Sequence, residues 1–332
     1  MAKVLLLSAA PEGDGRFPYY ARHDLERLLR SASKDKFRWH VLTEDPGAAD
    51  VIIFVERAHG AGANLEYVSV HPYTMQYREK CFVCNARYKG IPFLPGVYAS
   101  IERPGQFKQR VRSGHYLEVA EKDHLVCEPA TGDHAYLYSF IGAIGTAAVR
   151  SRIARLEHRR GMVVDTTREK PREGEDASEG GRYHLRYVDA VKKSAFVLCP
   201  RGIGVSTLRL FETLKMGRAP VIIADQWVPP EGPEWERFSL RIGEDQVHTI
   251  PAVLERNEAR AKEMGHLARA AWEDWFSEEA SFHRVVEWCL DIKDKRIASE
   301  GILRYTAYAQ LLRPRQLRRF IATQIRSTPR VR

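Results

Sequence analysis

The sequence predicts an α/β fold made of two Rossmann-like domains. Short apolar runs of strand length alternate with helical stretches, and the block from Ser194 to Asp225 has the pattern strand, glycine turn, helix, strand. With 332 residues, of which 44% are hydrophobic, the chain is long enough to build two cores of this kind. We predict an N-terminal domain at 1–130, a C-terminal domain at 131–295 and a basic helical tail at 296–332.

The N-terminal domain is predicted to begin with the strand KVLLL, followed by a loop and a helix over Tyr20–Leu29. Further strands are expected over Arg38–Leu42 and Asp50–Glu56. Loops that follow parallel strands line the ligand side of an α/β sheet, so an acid or histidine there is a candidate proton acceptor. The candidates on these loops are Asp14, His23, Glu56 and His59. We rank Asp14 first and Glu56 second as the catalytic base.

The C-terminal domain is predicted to begin with the strand and glycine turn YLYSFIGAIG, from Tyr136, which includes Gly142. An arginine-rich helix over 147–160, a strand over 163–166 and a helix over 183–193 follow. After Asp225, three prolines exclude a regular helix. A strand over 237–240 and helices over 250–267 and 281–290 complete the domain.

The central block combines a buried strand, Ala195–Cys199, with the turn that follows Pro200. Gly202 and Gly204 allow turn conformations that a side chain would forbid, and Ser206 or Thr207 is the predicted N-cap of the next helix. Helix amino termini attract phosphate groups, and Asp225 ends the following strand. A phosphate-binding site is therefore predicted at this turn.

Two functional interpretations of this block compete with a structural one. A dinucleotide fold requires G-x-G-x-x-G and an acid about 20 residues later, but Thr207 stands at the third glycine position. A sugar-nucleotide site requires cations for a diphosphate and a carboxylate for ribose hydroxyls, which Arg201, Arg209 and Glu212 supply. The structural alternative is that Arg209 and Glu212 form an ordinary i,i+3 surface ion pair.

The residues FVLCPRG-x-G-x-S-x-x-RL-x-E, with the later segments PVIIAD and WERFSLRIGEDQV, resemble the exostosin family, glycosyltransferase family 47. The resemblance covers roughly residues 183–290, with a fainter match at 136–152. It implies a GT-B fold, in which two Rossmann-like domains face a cleft, and inverting sugar transfer. The donor-binding residues implied or predicted are Gly142, Arg150, Arg201, Gly202, Gly204, Ser206, Thr207, Arg209, Glu212 and Asp225, with Arg201 also catalytic. For Arg150 and Arg152, a solvated basic helix face is an equal alternative.

The predicted function is transfer of a sugar from a nucleotide-diphosphate donor, with uridine as the nucleotide, to a glycan or lipid-linked acceptor. Alternatives are a nicotinamide-dependent oxidoreductase that uses Gly202, Gly204 and Asp225, and a catalytically silent exostosin-like binding subunit. The chain has no Asp-x-Asp triplet, so we expect neither a metal nor another cofactor. Zinc at Cys81 and Cys84, with His124 and Cys127, is a minor alternative.

The net charge of +9 is concentrated at one end of the chain. Gly301 to Arg332 contains eight arginines and no acid, which leaves about +1 for the other 300 residues. This distribution excludes a nucleic-acid footprint spread over the fold. The tail is expected either to contact an anionic membrane or to pack on the N-terminal domain. The lack of a long apolar run or a paired-cysteine pattern predicts a cytoplasmic protein, with peripheral contact with the inner face of the membrane as a further expectation.

Overall fold

The structure is a computed structural model that describes residues 1–10, 16–57, 65–88, 91–103, 108–128, 133–168, 177–312, 317–318 and 320–321. It divides into two compact units. The first unit comprises Met1–Glu118, Gln226–Glu231 and Glu278–Arg332, and the second comprises Val119–Asp225 and Gly232–Ser277.

In the first unit, one sheet of parallel strands has the order β2-β1-β3-β4-β5-β6. Its central strands are buried apolar runs because helices cover both faces of a parallel sheet. The strands are β1 (Lys3–Leu7), β2 (Val41–Leu42), β3 (Val51–Glu56), β4 (Cys81–Asn85), β5 (Gly96–Tyr98) and β6 (Val111–Ser113). The first helices are α1 (Arg16–Ser33), α2 (Leu65–Val70) and α3 (Pro72–Gln76).

In the second unit, a parallel sheet has the order β11-β10-β9-β7-β8. The strands are β7 (Tyr136–Gly142), β8 (Gly161–Asp165), β9 (Ser194–Pro200), β10 (Ala219–Ile223) and β11 (Leu240–Arg241). The helices are α4 (Ala148–Ile153), α5 (Ala177–Lys192), α6 (Leu208–Lys215), α7 (Trp235–Phe238), α8 (Ile250–Asn257) and α9 (Ala261–Trp275). Side chains of β7, β9 and β10 form the core with α8 and α9.

The last two helices, α10 (Glu278–Asp294) and α11 (Glu300–Leu303), belong to the first unit. Helix α10 packs on α1, where the Ser31 hydroxyl accepts the Phe282 N–H at 2.8 Å. Arg112 in β6 donates to Asp291 of α10 at 2.8 Å. These contacts, together with the buried apolar face of α10, explain why α10 belongs to the first unit, although we predicted it within the C-terminal domain at 131–295. The second unit also begins earlier than predicted, at Val119.

Each unit contains a parallel sheet with helices, so the predicted α/β class with two Rossmann-like domains is confirmed. Four predicted elements differ from the structure. The helix expected over 250–267 divides into α8 and α9. The strand expected from Arg38 begins only at Val41, because Arg38 adopts a positive φ of 51°. The helix expected over 147–160 ends at Ile153. The strand expected over 237–240 begins only at Leu240, because its first two residues belong to helix α7, after which the Ser239 hydroxyl donates to the Trp235 carbonyl.

The described part of the predicted basic tail lies against the first unit. Residues Arg304–Leu312 form a 3₁₀ helix in which Ala307 is buried. The rings of Tyr308 and Phe320 approach the Phe93 ring, with centroid distances of 5.6 and 5.8 Å. No described helix has both the length and the apolar composition needed to cross a membrane.

Candidate functional site

The predicted phosphate site lies where the strand order of the second sheet reverses. Strand β7 lies between β9 and β8, so the chain crosses over in opposite directions from β7 to its two neighbours. Ligands of open α/β sheets bind outside the carboxyl ends of the strands at such a point. Here those ends are Gly142 and Pro200. The Arg201–Arg209 segment starts directly at this edge.

Arg209 on α6 reaches the end of β7. Its side chain is buried, Nη2 donates to the Ile141 carbonyl, and the guanidinium carbon lies 4.7 Å from the centroid of the Phe140 ring. A Cβ on Gly142 would lie 2.6 Å from Nη2, which is too close for any real contact. Among the described residues, Nε of Arg209 has no hydrogen-bond partner. The lack of a side chain at Gly142 therefore leaves room for this guanidinium at the edge of the sheet.

Arg150 on α4 binds backbone at the ends of two strands. Its Nε donates to the Arg201 carbonyl at 3.0 Å, and its Nη1 donates to the Ala143 carbonyl at 3.1 Å. A Cβ on Gly202 would lie 2.8 Å from Nη2 of Arg150. The donors of Arg150 thus bind the backbone of the turn, and the lack of a Cβ at Gly202 leaves room for its Nη2. This geometry differs from an exposed basic helix face, because Arg150 is buried.

Arg201 is neutralised by an acid that the sequence did not single out. Its Nε donates to both carboxylate oxygens of Glu244, at 2.8 and 2.9 Å. Glu244 also accepts the Asp225 N–H at 3.3 Å, and its own N–H donates to Asp225 Oδ1 at 3.0 Å. Glu244 therefore joins the turn after β9 to the end of β10. The available signal was its place in the RIGEDQV segment after a strand.

Glu212 on α6 is buried and holds two polar partners. Lys122 Nζ donates to Oε1, and the Tyr187 hydroxyl donates to Oε2 at 2.9 Å. Burial alone would raise the pKa of Glu212, but Lys122, Arg209 and Tyr187 outweigh it and hold that pKa below its usual value. The site therefore contains a buried carboxylate anion. The surface pair with Arg209 does not form, since the ion pair of Glu212 is to Lys122.

The remaining predicted donor-site residues lie around the start of α6. Thr207 occupies the N-cap position with extended backbone, but its side chain makes no capping hydrogen bond. Gly204 and Ser206 are buried in the turn, and Asp225 is exposed at the end of β10. The structure thus brings all ten predicted donor-site residues to the carboxyl edge of one sheet.

In the first unit, the predicted base Glu56 also lies at a switch point. It ends β3, which pairs with β1. The strand order switches between these two strands, because the chain passes from β1 to β2 on one side and then to β3 on the other. Its Oε1 accepts the Ala9 N–H at 2.6 Å and the Ser8 hydroxyl at 3.1 Å. Complete burial raises the pKa of Glu56 to about 7, although these hydrogen bonds oppose the shift.

The other base candidates are Asp14, His23 and His59. Asp14 and His59 lie outside the described residues. His23 pairs with Glu26 one turn along α1, at 3.2 Å, which is the geometry of a helix-face contact.

Within the described residues, one group of three side chains has the composition and spacing of a metal site: His40, His283 and Glu287 in the first unit. His40 Nδ1 accepts the Ala2 N–H at 3.3 Å, so its neutral ring carries the proton on Nε2. Nε2 lies 2.8 Å from Glu287. A metal-bound histidine instead donates from its other ring nitrogen, so the hydrogen bonding of His40 does not match that of a metal ligand. Cys81 and Cys84 are buried in β4, where burial raises their pKa values to about 12, and within the described residues they belong to no group of three possible metal ligands.

Residues 120–257 match the family model of the Exostosin GT47 domain. Apart from residues 226–231, the matched segment lies in the second unit, which is therefore similar to the exostosin GT47 domain. The chain is 32% identical over 90 residues to the exostosin-1 homolog of Caenorhabditis elegans, covering 26% of this chain and 24% of that protein. It is 31% identical over 93 residues to exostosin-2 of Bos taurus, covering 27% of this chain and 13% of that protein.

The resemblance predicted from the PRG-to-IIAD block is thus confirmed, and the exostosin-like domain contains every predicted donor-site residue. The match spans less than a quarter of the length of these two relatives. A crystal structure of MurG from Acinetobacter baumannii is also similar, with a TM-score of 0.33 and 10% identity over 81% of this chain and 95% of that chain. That similarity is too low to support an argument about function.

Proposed function

We propose that the protein is an inverting glycosyltransferase whose donor is a sugar linked to uridine diphosphate. The observation that carries the proposal is the buried Arg209 guanidinium at the carboxyl edge of the second sheet, admitted there by Gly142. A buried cation whose Nε has no hydrogen-bond partner among the described residues is suited to an incoming anion. Its position at the switch point, beside the start of α6, suits a diphosphate.

In the proposed reaction, the acceptor hydroxyl oxygen forms a bond to the anomeric carbon while the bond from that carbon to the diphosphate breaks. The bonding electron pair stays on the diphosphate, whose charge Arg209 and Arg201 stabilise together with the amino terminus of α6. Fixed donors are effective here because they need no reorganisation as the charge develops. We propose that no metal ion is required, on the ground that the chain lacks an Asp-x-Asp triplet.

The other polar residues receive supporting roles. Glu212, held as an anion between Lys122 and Tyr187, would accept hydrogen bonds from the ribose hydroxyls. Arg150 is a positioning residue, because it holds the backbone of the turn through the Arg201 carbonyl. Glu56 would take the proton of the acceptor hydroxyl, since a pKa of about 7 suits a general base at neutral pH. Asp14 remains the competing candidate.

The acceptor is proposed to be a glycan or a lipid-linked glycan, as the family relationship implies. A basic segment such as 301–332 would suit an acceptor presented at an anionic membrane surface. This part of the proposal is independent of the donor site and is tested separately, by comparing soluble and lipid-linked acceptors.

Donor binding is tested by titrating uridine diphosphate into the wild-type protein and into Arg209→Ala by calorimetry. Loss of a charge-assisted hydrogen bond should weaken binding by about 10- to 100-fold. Arg256→Ala, at an exposed arginine on α8 of the same unit, is the matched control and should bind as the wild type does. Equal affinity for Arg209→Ala and wild type would refute the donor site.

Two further outcomes separate the alternatives. Binding of NAD with no binding of uridine diphosphate would favour the oxidoreductase. Donor binding without release of uridine diphosphate across a panel of sugars and acceptors would favour a silent subunit.

Glu212→Gln should weaken donor binding and leave the fold intact. Unchanged affinity in that variant would remove Glu212 from the site.

A further inference from the structure

The first unit contains a cavity of about 490 Å³ that the proposed reaction does not use. It lies between α2 and α3, the start of β4, the segment before β5, and the 3₁₀ helix Arg304–Leu312. Because β4 and β5 begin here, the cavity is at the amino edge of the sheet. Ligands of the sheet itself bind at the opposite, carboxyl edge, where Glu56 lies.

The walls of the cavity are largely apolar. Val83 and Leu94 line the side of the sheet, and the rings of Phe93, Tyr308 and Phe320 line the side of the C-terminal segment. Leu94 and Phe93 are half-buried, while Tyr308 is exposed, so the aromatic rim borders solvent. A volume in this range is typical of small-molecule sites. These walls favour a ligand whose buried part is apolar.

The charged groups at the cavity are not balanced. Glu300 is already engaged, because Arg110 donates to its carboxylate from Nε at 3.1 Å and from Nη2 at 2.5 Å. Arg78 and Arg304 also line the cavity, and their side chains donate to neutral groups among the described residues, the Met75 sulfur and the Tyr305 hydroxyl. Arg304 Nε is buried with no hydrogen-bond partner among those residues. The cavity therefore carries an excess of positive charge beside an apolar interior.

We propose that this cavity binds a single-chain fatty-acyl anion, with the chain in the apolar interior and the carboxylate on Arg78 and Arg304. At about 30 Å³ for each methylene-sized group, the volume accommodates roughly 16 such groups. Transfer of each methylene from water to an apolar wall is favourable, and two guanidinium groups select an anionic head group. The proposal does not depend on the glycosyltransferase assignment, since it uses none of the donor-site residues.

The test uses the full chain and the fluorescent unbranched fatty acid cis-parinaric acid, whose emission rises when it leaves water. The probe should bind in a saturable manner below its micelle concentration. Dodecanoate should displace it about tenfold more effectively than dodecylammonium does, because only the anion is attracted by the arginines. Equal displacement by the two surfactants would refute the charged half of the site.

Variants locate the site. Leu94→Trp fills the cavity and should abolish saturable binding. The double variant Arg78→Glu, Arg304→Glu should weaken dodecanoate binding by about tenfold or more. This is the magnitude expected when charge-assisted hydrogen bonds are lost. These two arginines are half-buried at the rim, so that variant keeps the test open if Leu94→Trp does not fold. Arg256→Glu, at an arginine of the second unit, is the matched control. A wild-type protein that does not bind the probe, or binding unchanged in both variants, overturns the proposal.

Discussion

Glu56 gives the sharpest test of the first unit, because its burial has a calculable cost in stability. Folding raises the pKa of Glu56 from 4.5 to about 7, so between these values the folded chain binds more protons than the unfolded chain. The free energy of unfolding therefore falls as pH rises through this window. A shift from 4.5 to about 7, at 1.36 kcal/mol per pKa unit, costs about 3 kcal/mol once both states are ionised. Glu56 is fully buried, so solvent screening does not reduce this cost.

Glu56→Gln removes the charge while it keeps an oxygen to accept hydrogen bonds from Ser8 and Ala9. Its stability advantage over the wild type should grow by about 2–3 kcal/mol between pH 5 and pH 8. Urea unfolding at the two pH values measures this difference. Glu236→Gln, at an exposed position on α7, is the control and should show no such growth. Parallel pH profiles for wild type and Glu56→Gln would refute the raised pKa.

The same substitution tests catalysis. If Glu56 is the general base, kcat/KM of the wild type should rise with pH and level off above about pH 7, where the carboxylate is ionised. Glu56→Gln should lower kcat by about 10²- to 10⁴-fold. A variant that gains stability at pH 8 and loses turnover would show that the buried acid is kept for chemistry and not for folding. Normal turnover would transfer the role to another residue.

Three further substitutions test the geometry. Gly142→Ala should weaken binding of uridine diphosphate by about tenfold or more in calorimetry, because the new Cβ would displace Arg209. The control Gly145→Ala has nothing within 4 Å of its new Cβ and should bind normally. Glu244→Gln should lower the free energy of unfolding by about 1–2 kcal/mol in urea titrations, since it breaks a partly buried ion pair, and no change would show the pair to be solvated. Gly96→Ala should cost about 3 kcal/mol or more, because φ is 148° and the Cβ would lie 2.0 Å from a strand carbonyl, so unchanged stability would contradict this backbone.

The central block was predictable from the sequence because the residues that end its strand and its helix are local in sequence. Strand β9 lies within one residue of its predicted bounds, helix α6 follows the predicted N-cap Thr207, and strand β10 ends two residues before Asp225. Pro200 and the following glycines end the strand, and Gly217 with a φ of 64° ends the helix region. The positions of Arg201, Arg209 and Glu212 at one edge of the sheet follow from these bounds alone.

The partners of those residues could not be predicted in the same way. Lys122 lies 90 residues before Glu212, and Glu244 lies 43 residues after Arg201. No spacing rule connects such positions, since only the completed sheet brings them together. The pKa of Glu56 has the same origin, because it depends on burial that a strand-end position does not specify. Helix α10 was assigned to the wrong unit for this reason too: its apolar face shows that it packs, but not on which sheet.

The two arginines of the donor site are stabilised in different ways, and the difference bears on how an anion would bind. Arg209 donates to a neutral carbonyl and lies on an aromatic ring, so its charge is solvated but not cancelled. The charge of Arg201 is neutralised by its ion pair with Glu244. A diphosphate would therefore meet Arg209 at once, but it must compete with Glu244 for Arg201. Because Glu244 is also tied to the backbone of Asp225, such an exchange would couple occupation of the phosphate site to the loop that follows β10.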